Sequence, residues 1–346
     1  MKFRVSFTQR FRIDPWSEDR TVIEDEVLSS LEGLAAAASL PVDLNVAAER
    51  FFAATSQLPV RGVDRWERTL RNELYSYVHN RRSLNLWTTR EPHGPWLNLC
   101  HGDGYERMQA LEALSQGAPN SFLLAVLLRR LNDWVVQVRE AARESAKKIA
   151  ARTDTEIVVD ALWNILPYLH TWGRWKDEDR DAFLDLVSPS DVSEKLTQRL
   201  IQSTAGPTAK ILGQLSRRST LDQYLTQIAQ EAVQPAVRAK AYRFLFEGKA
   251  TWLEGRKWVL TDKYWGKREY QPILGTRSTH AAVNLVALLD QAIGDASPTV
   301  RRVAGTTVIA RLAELGSEAE GLASRLAVDP YPSIAERGRF ALDRVP

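Results

Sequence analysis

The sequence predicts a mostly α-helical protein: an array of paired helices carrying a small α+β domain at its N-terminus. Three observations predict it. One short pattern recurs along the chain. From about residue 103 onward, apolar residues follow helical spacing in consecutive paired segments. The first hundred residues break that rhythm with stretches of period two. The expected division is residues 1–102 and 103–346, with an aromatic and basic insertion at 249–278 interrupting the array.

The recurring pattern decides most. Asp133, Val138, Arg139 and Ala142 have the same spacing as Asp295, Val300, Arg301 and Ala304. A third copy, Pro235-Ala236-Val237-Arg238 ending on Ala241, fits the same core. Asp329 and Pro332-Ser333-Ile334-Ala335 ending on Gly338 fit with alanine in place of arginine. Pro207 to Gly213 is a weaker copy with Lys210, and Arg107 to Ala110 keeps only the tail. Internal repeats fix an architecture before local reading does.

Each position has a physical role. An Asp ahead of a helix accepts bonds from free N–H groups and suits the positive end of the helix dipole. Proline fits the first turn, where its missing N–H is no loss. The aliphatic side chain faces the core, and the small residue lets the paired helix come close. The arginine can reach the Asp of an adjacent turn, so Asp133, Arg139, Arg238, Asp295, Arg301 and Asp329 are expected to stitch repeats together.

This pattern resembles the HEAT-like repeat family, including the short variety found in bilin-lyase-type proteins. The resemblance covers about residues 103–345 and is closest over 132–150 and 279–345. It implies a HEAT-like α-α superhelix, a solenoid of antiparallel helix pairs with one concave face. Val136 and Ala335 depart from the pattern. Between Ala142 and Gly213 no copy can be read, so that stretch is either a distorted repeat or an inserted helical hairpin.

The N-terminal domain is expected to hold short strands and about three helices. Phe3, Val5, Phe7, Phe11 and Ile13 share odd positions, which argues a strand or two. A capping box at Thr21–Glu24 opens a helix with Val27, Leu31 and Leu34 on one face. Further helices are expected over about 42–57 and 63–79. Leu84-Asn85-Leu86 and Leu97-Asn98-Leu99 flank a Pro/Gly-rich loop and read as a hairpin.

Composition bounds the function. The 346 residues carry 46 Lys and Arg against 43 Asp and Glu, a net charge of +3, well short of a dedicated nucleic-acid binder's excess. One cysteine, Cys100, excludes an internal disulfide and suits a reducing compartment. No apolar run suits a membrane span or a secretory leader, so a cytoplasmic protein without a membrane partner is expected. His93, Cys100, His101 and Asp103 match no compact metal spacing, so no metal and no cofactor are expected.

Two clusters are candidate contact surfaces. Trp252, Arg256, Lys257, Trp258, Lys263, Tyr264, Trp265 and Arg268 alternate aromatics with bases inside the insertion, which reads as a long loop. Trp172, Arg174 and Trp175 combine residue types that dominate binding hot spots and that also fill irregular helix turns. Arg139, Arg143 and Lys147 read as a salt-bridged, exposed face beside Glu140 and Glu144. No cluster asks for chemistry. The leading expectation is a non-enzymatic scaffold gripping a protein partner. The alternative is a nucleic-acid-binding array that resembles, in architecture only, the HEAT-like alkylpurine DNA glycosylases, with Asp262 between Trp258 and Trp265 as its acid.

Overall fold

The structure, a computed structural model, describes residues 17–37, 44–80, 94–280 and 284–345. Among these residues the protein is mostly helical with one two-stranded sheet. Helices α1 (Ser17–Ala37), α2 (Leu44–Ser56) and α3 (Val63–Asn80) come first. Val27, Leu31, Phe51, Leu70 and Leu74 are buried along their inner faces, as the helical spacing predicts. Helix α1 already includes Ser17, so Thr21 lies inside it and does not cap it.

The short α4 (Gly94–Asn98) corrects one expectation. Leu97-Asn98-Leu99 is not a strand: it belongs to α4 and the turn behind it, where the Cys100 and His101 amides donate to the Leu97 and Asn98 carbonyls at 3.0 Å. Pro95 suits a first helical turn, and Trp96, Leu97 and Leu99 are all buried, a contiguous burial that an alternating strand does not give. The expected strand over residues 3–13 and the arm at 84–86 lie outside the described residues.

The helices that follow match the paired pattern. They are α5 (Gly104–Ala113), α6 (Ser121–Arg129), α7 (Val136–Ala150) and α8 (Thr155–Ile165), which tightens into a 3-10 segment at Leu166–Thr171. Next come α9 (Asp177–Asp185), α10 (Ser190–Gln202), α11 (Thr208–Leu215), α12 (Leu225–Glu231) and α13 (Pro235–Glu247). After strands β1 (Lys249–Asp262) and β2 (Lys267–Ser278), the chain closes with α14 (Leu285–Ile293), α15 (Pro298–Ala310), α16 (Leu312–Leu315), α17 (Glu318–Ala327) and α18 (Pro332–Leu342). Helices α5, α7 and α9 pack in succession, as do α6, α8, α10 and α12. Likewise α13 packs on α15, α15 on α18, and α14 on α17. One apolar core runs from Val27 on α1 to Ala341 on α18. No described helix is long and apolar enough to cross a membrane.

The repeated arginine has a repeated geometry. Arg107, Arg139, Arg238 and Arg301 each donate from Nη1 to the carbonyls six and five residues back, just ahead of their own helix. Each also reaches forward to a carboxylate. Arg107 grips Asp133 at 2.8 and 3.0 Å, Arg238 grips Asp295 at 2.7 and 2.8 Å, and Arg301 grips Asp329 at 2.6 and 3.2 Å. These two-pronged pairs are the strong form of the contact. Each Asp also accepts the amide two residues on, from Val135, Ser297 and Tyr331, and so fixes the turn into the next helix. Burial would raise the Asp133 and Asp295 pKa values, but the arginines outweigh it and hold both below the usual carboxylate range. Asp329 is lowered chiefly by its bonds to Arg301.

One member of this ladder was read only in part from the sequence and another escaped the pattern. Arg107 is a full rung, although the residues before it do not match the other copies. Asp179, buried in the first turn of α9, serves Arg139 at 3.4 Å and Arg143 at 3.2 Å. Asp179 thus ties α9 to α7 within the stretch between Ala142 and Gly213, where no copy of the pattern can be read. Arg139 is buried, which corrects the expectation of an exposed ridge on α7: a guanidinium shared between Asp179 and two carbonyls has no reason to face water. The small residues do their expected work. A Cβ on Gly338 would sit 2.2 Å from the Ala327 backbone nitrogen, so α17 and α18 touch through backbone there.

Candidate functional site

The insertion is not a loop. Residues Lys249–Ser278 form a long antiparallel hairpin, with register shifts at Leu253/Gly255 and Leu260/Asp262. Aromatic and basic residues are interspersed along it without the apolar alternation that marks a half-buried strand. Its turn is set by Asp262, whose Oδ1 accepts the Tyr264 and Trp265 amides at 2.9 and 3.1 Å, and by Gly266 at a φ of +63°. Asp262 therefore shapes the turn, which is a structural role for the residue considered as an acid.

The root of the hairpin is fixed to the helices by side chains that sequence reading missed. Glu254 on β1 accepts from Arg180 at 3.0 Å, Arg217 at 3.0 Å and the Trp252 indole at 2.5 Å. Burial raises the Glu254 pKa, but these donors prevail and hold it below its ordinary value. The Gln214 amide donates to the Leu253 carbonyl at 2.7 Å. From β2, Arg277 grips Asp222 at 2.5 and 2.8 Å and donates to the Ser216 and Arg218 carbonyls. The half-buried Trp252 ring lies over Gly275 on the facing strand, where any Cβ would meet it at 2.3 Å.

Beyond this root the hairpin stands clear of the helices. By register, Arg256, Trp258 and Leu260 share a face with Pro272, Tyr270 and Arg268. The Trp258 and Tyr270 rings are 5.1 Å apart, and the Arg256 guanidinium lies 5.8 Å from the Tyr270 ring. Trp258 is 66% exposed, Tyr264 86% and Trp265 72%. Leu260, Ile273 and Leu274 are exposed too. Arg256, Lys257, Lys263, Lys267 and Arg268 form no ion pair among the described residues. The hairpin thus brings together seven of the eight candidate contact residues of the insertion on its exposed part, and turns Trp252 inward as a root residue.

The second cluster divides. Trp172 is buried and Trp175 half-buried, each packed edge-on against Phe183. Both pack into the apolar core. Arg174 is exposed, with its guanidinium 3.5 Å from the centre of the Trp134 ring. His170 sits half-buried in the 3-10 segment against β1, and burial, together with the charges of Lys210 and Arg256, pushes its pKa down. Cys100 is buried, and burial drives its thiol up to about 12, which removes it as a nucleophile at neutral pH. His101 Nδ1 accepts the Asp103 amide, and Asp103 caps α5 by accepting the Tyr105 amide. His93 lies outside the described residues.

No protein-family model matches the chain, and no curated protein is detectably similar to it.

Proposed function

We propose that this protein is a non-enzymatic, HEAT-like helical-repeat scaffold of the cytoplasm that binds a protein partner through the exposed part of its β-hairpin. The recurring Arg–Asp rungs and the succession of helix-on-helix contacts support the solenoid architecture. The observation that carries the function is the hairpin itself. It is clamped at its root by Glu254 and Arg277, and beyond it carries Trp258, Tyr270, Trp265 and Arg256 into solvent. Tryptophan, tyrosine and arginine are the residues that concentrate binding energy at protein interfaces. Leu260, Ile273 and Leu274 on the same arm favour a protein over a nucleic acid, since aliphatic side chains offer little to a phosphate backbone. The unpaired cations ask for an acidic patch on that partner. They also give the nucleic-acid reading, a glycosylase-like array, its only support.

Affinity capture from the native host after nuclease treatment tests the proposal, with the intact chain and the Trp258→Ala/Tyr270→Ala double variant as parallel baits. One stoichiometric protein recovered by the first and lost by the second is the expected result. Equal recovery by both baits, or capture abolished by nuclease, refutes the reading.

A further inference from the structure

A pocket of about 310 Å³ opens where α3, the turn before α5 and the segment following α6 meet, and it shares no residue with the hairpin. Six guanidinium groups line it: Arg68, Arg71, Arg107, Arg129, Arg130 and Arg174. Three carboxylates oppose them, and all three are already engaged. Asp133 holds Arg107 and also Arg130 at 2.9 Å, Glu67 binds both Arg71 and Arg130, and Asp64 accepts Arg129 Nε at 2.5 Å.

What remains is donor capacity with no acceptor. Arg129 Nη1 is buried and has no hydrogen-bond partner. Arg68 donates from Nε to the Asp64 carbonyl at 3.1 Å, its one hydrogen bond among the described residues. Arg174 forms no ion pair among the described residues; its backbone amide donates to Asn132 and its guanidinium lies over the Trp134 ring, 3.5 Å from its centre. The buried Arg129 N–H without an acceptor is costly, and the exposed guanidinium groups of Arg68 and Arg174 offer further donors to the same space, a set that suits an anion with several oxygens. Planar guanidinium forks match a phosphate in both geometry and charge. Trp134 adds a second recognition element. It is 76% exposed with Arg174 on one side, so its other ring face is free to stack against a planar group. The volume falls at the small end of the usual range for ligand pockets.

We infer that this pocket binds a small phosphomonoester bearing a planar ring, in chemical class a 5′-mononucleotide. Its phosphate is held by Arg68, Arg129 and Arg174 and its ring rests on Trp134. Neither the free-standing hairpin nor the identity of a protein partner enters this assignment.

Titration calorimetry on the full chain tests it with adenosine 5′-monophosphate, adenosine and inorganic phosphate. The monophosphate binds saturably, and adenosine binds at least about tenfold more weakly, because the charged contacts are lost. Raising the salt concentration weakens the monophosphate. Arg68→Gln and Arg174→Gln, both at exposed positions, each lower its affinity while leaving the melting temperature unchanged. Trp134→Leu lowers the affinity for the monophosphate and leaves that for inorganic phosphate as it was. The assignment is overturned by adenosine binding as tightly as the monophosphate, by unchanged affinity in both arginine variants, or by no saturable heat with either phosphate. A 5′-phosphorylated hexanucleotide that binds at the same arginines far more tightly than the mononucleotide overturns the small-molecule class in favour of a nucleic-acid end.

Discussion

Replacing Arg301 with methionine keeps most of the side-chain volume and removes a guanidinium that makes four hydrogen bonds. Two go to Asp329, at 2.6 and 3.2 Å, and two to the Asp295 and Ala296 carbonyls, at 2.9 and 3.0 Å. The side chains of the pair are 10% and 6% exposed, so little water can take over. Asp329 would keep only the Tyr331 amide at 2.8 Å. Breaking a buried pair by deleting one partner costs about 3–5 kcal/mol, and water reaching the head of α18 trims this to about 3 kcal/mol. Asp329→Asn leaves a neutral acceptor and costs about 2 kcal/mol. The double variant leaves no orphaned charge, so its cost falls below the sum by about 1–2 kcal/mol. Urea unfolding gives the three values, and amide exchange across α15, α17 and α18 shows where they act. The exposed neighbour change Arg302→Met is the control and stays within about 0.5 kcal/mol of the parent. Single variants that match this control, or strict additivity in the double, refute the idea that these rungs hold neighbouring helices together.

Three further outcomes are expected. Lys240, pressed between Gly213 and the root of β1, titrates near 8 instead of 10.5 because burial opposes its charge, with Arg243 adding to the effect. Between those values the unfolded chain binds more protons, so stability rises with pH through that window; Lys240→Met abolishes that rise and stabilises the protein at pH 7 by up to about 3 kcal/mol, as read from melting curves on both sides of pH 8. Gly338→Ala forces α18 off α17 and destabilises by about 1–3 kcal/mol in urea titration. Native Cys100 stays unmodified by iodoacetamide at pH 8 and reacts on unfolding, as followed by mass spectrometry; labelling of the folded chain at the rate of a free thiol contradicts its burial.

The longer helices were legible because they have a continuous apolar face and a turn signal at their ends, as in α13 with Pro235 at its start and Gly248 at its close, whereas the five-residue α4 is too short to show either. The rungs at Arg238 and Arg301 were legible because donor and acceptor keep fixed offsets from a proline. Arg107 was legible only as the tail of a copy and Asp179 not at all, since the contact they serve is defined in space and tolerates different spacing along the chain. The hairpin was hidden for another reason. One face of its free part mixes aromatic with cationic residues and the other mixes charged, polar and aliphatic ones, so the apolar-to-polar contrast that betrays a half-buried strand is missing. Its anchoring residues, Glu254, Arg217 and Arg277, carry no local mark, because their partners are distant in sequence. The arginine pocket was equally silent: its residues are scattered from Asp64 to Arg174 and come together only through packing.

The clamp on Glu254 makes the hairpin a lever. From that carboxylate to the turn at Tyr264 an extended strand spans about 30 Å. Its bearings, Arg180 and Arg217, sit on or just behind two different helices, α9 and α11. A rotation of only about 5° between those helices would sweep the far end through roughly 2–3 Å on such a span. Slight flexing of the helical body would thereby be magnified into a displacement of side-chain size at the tip.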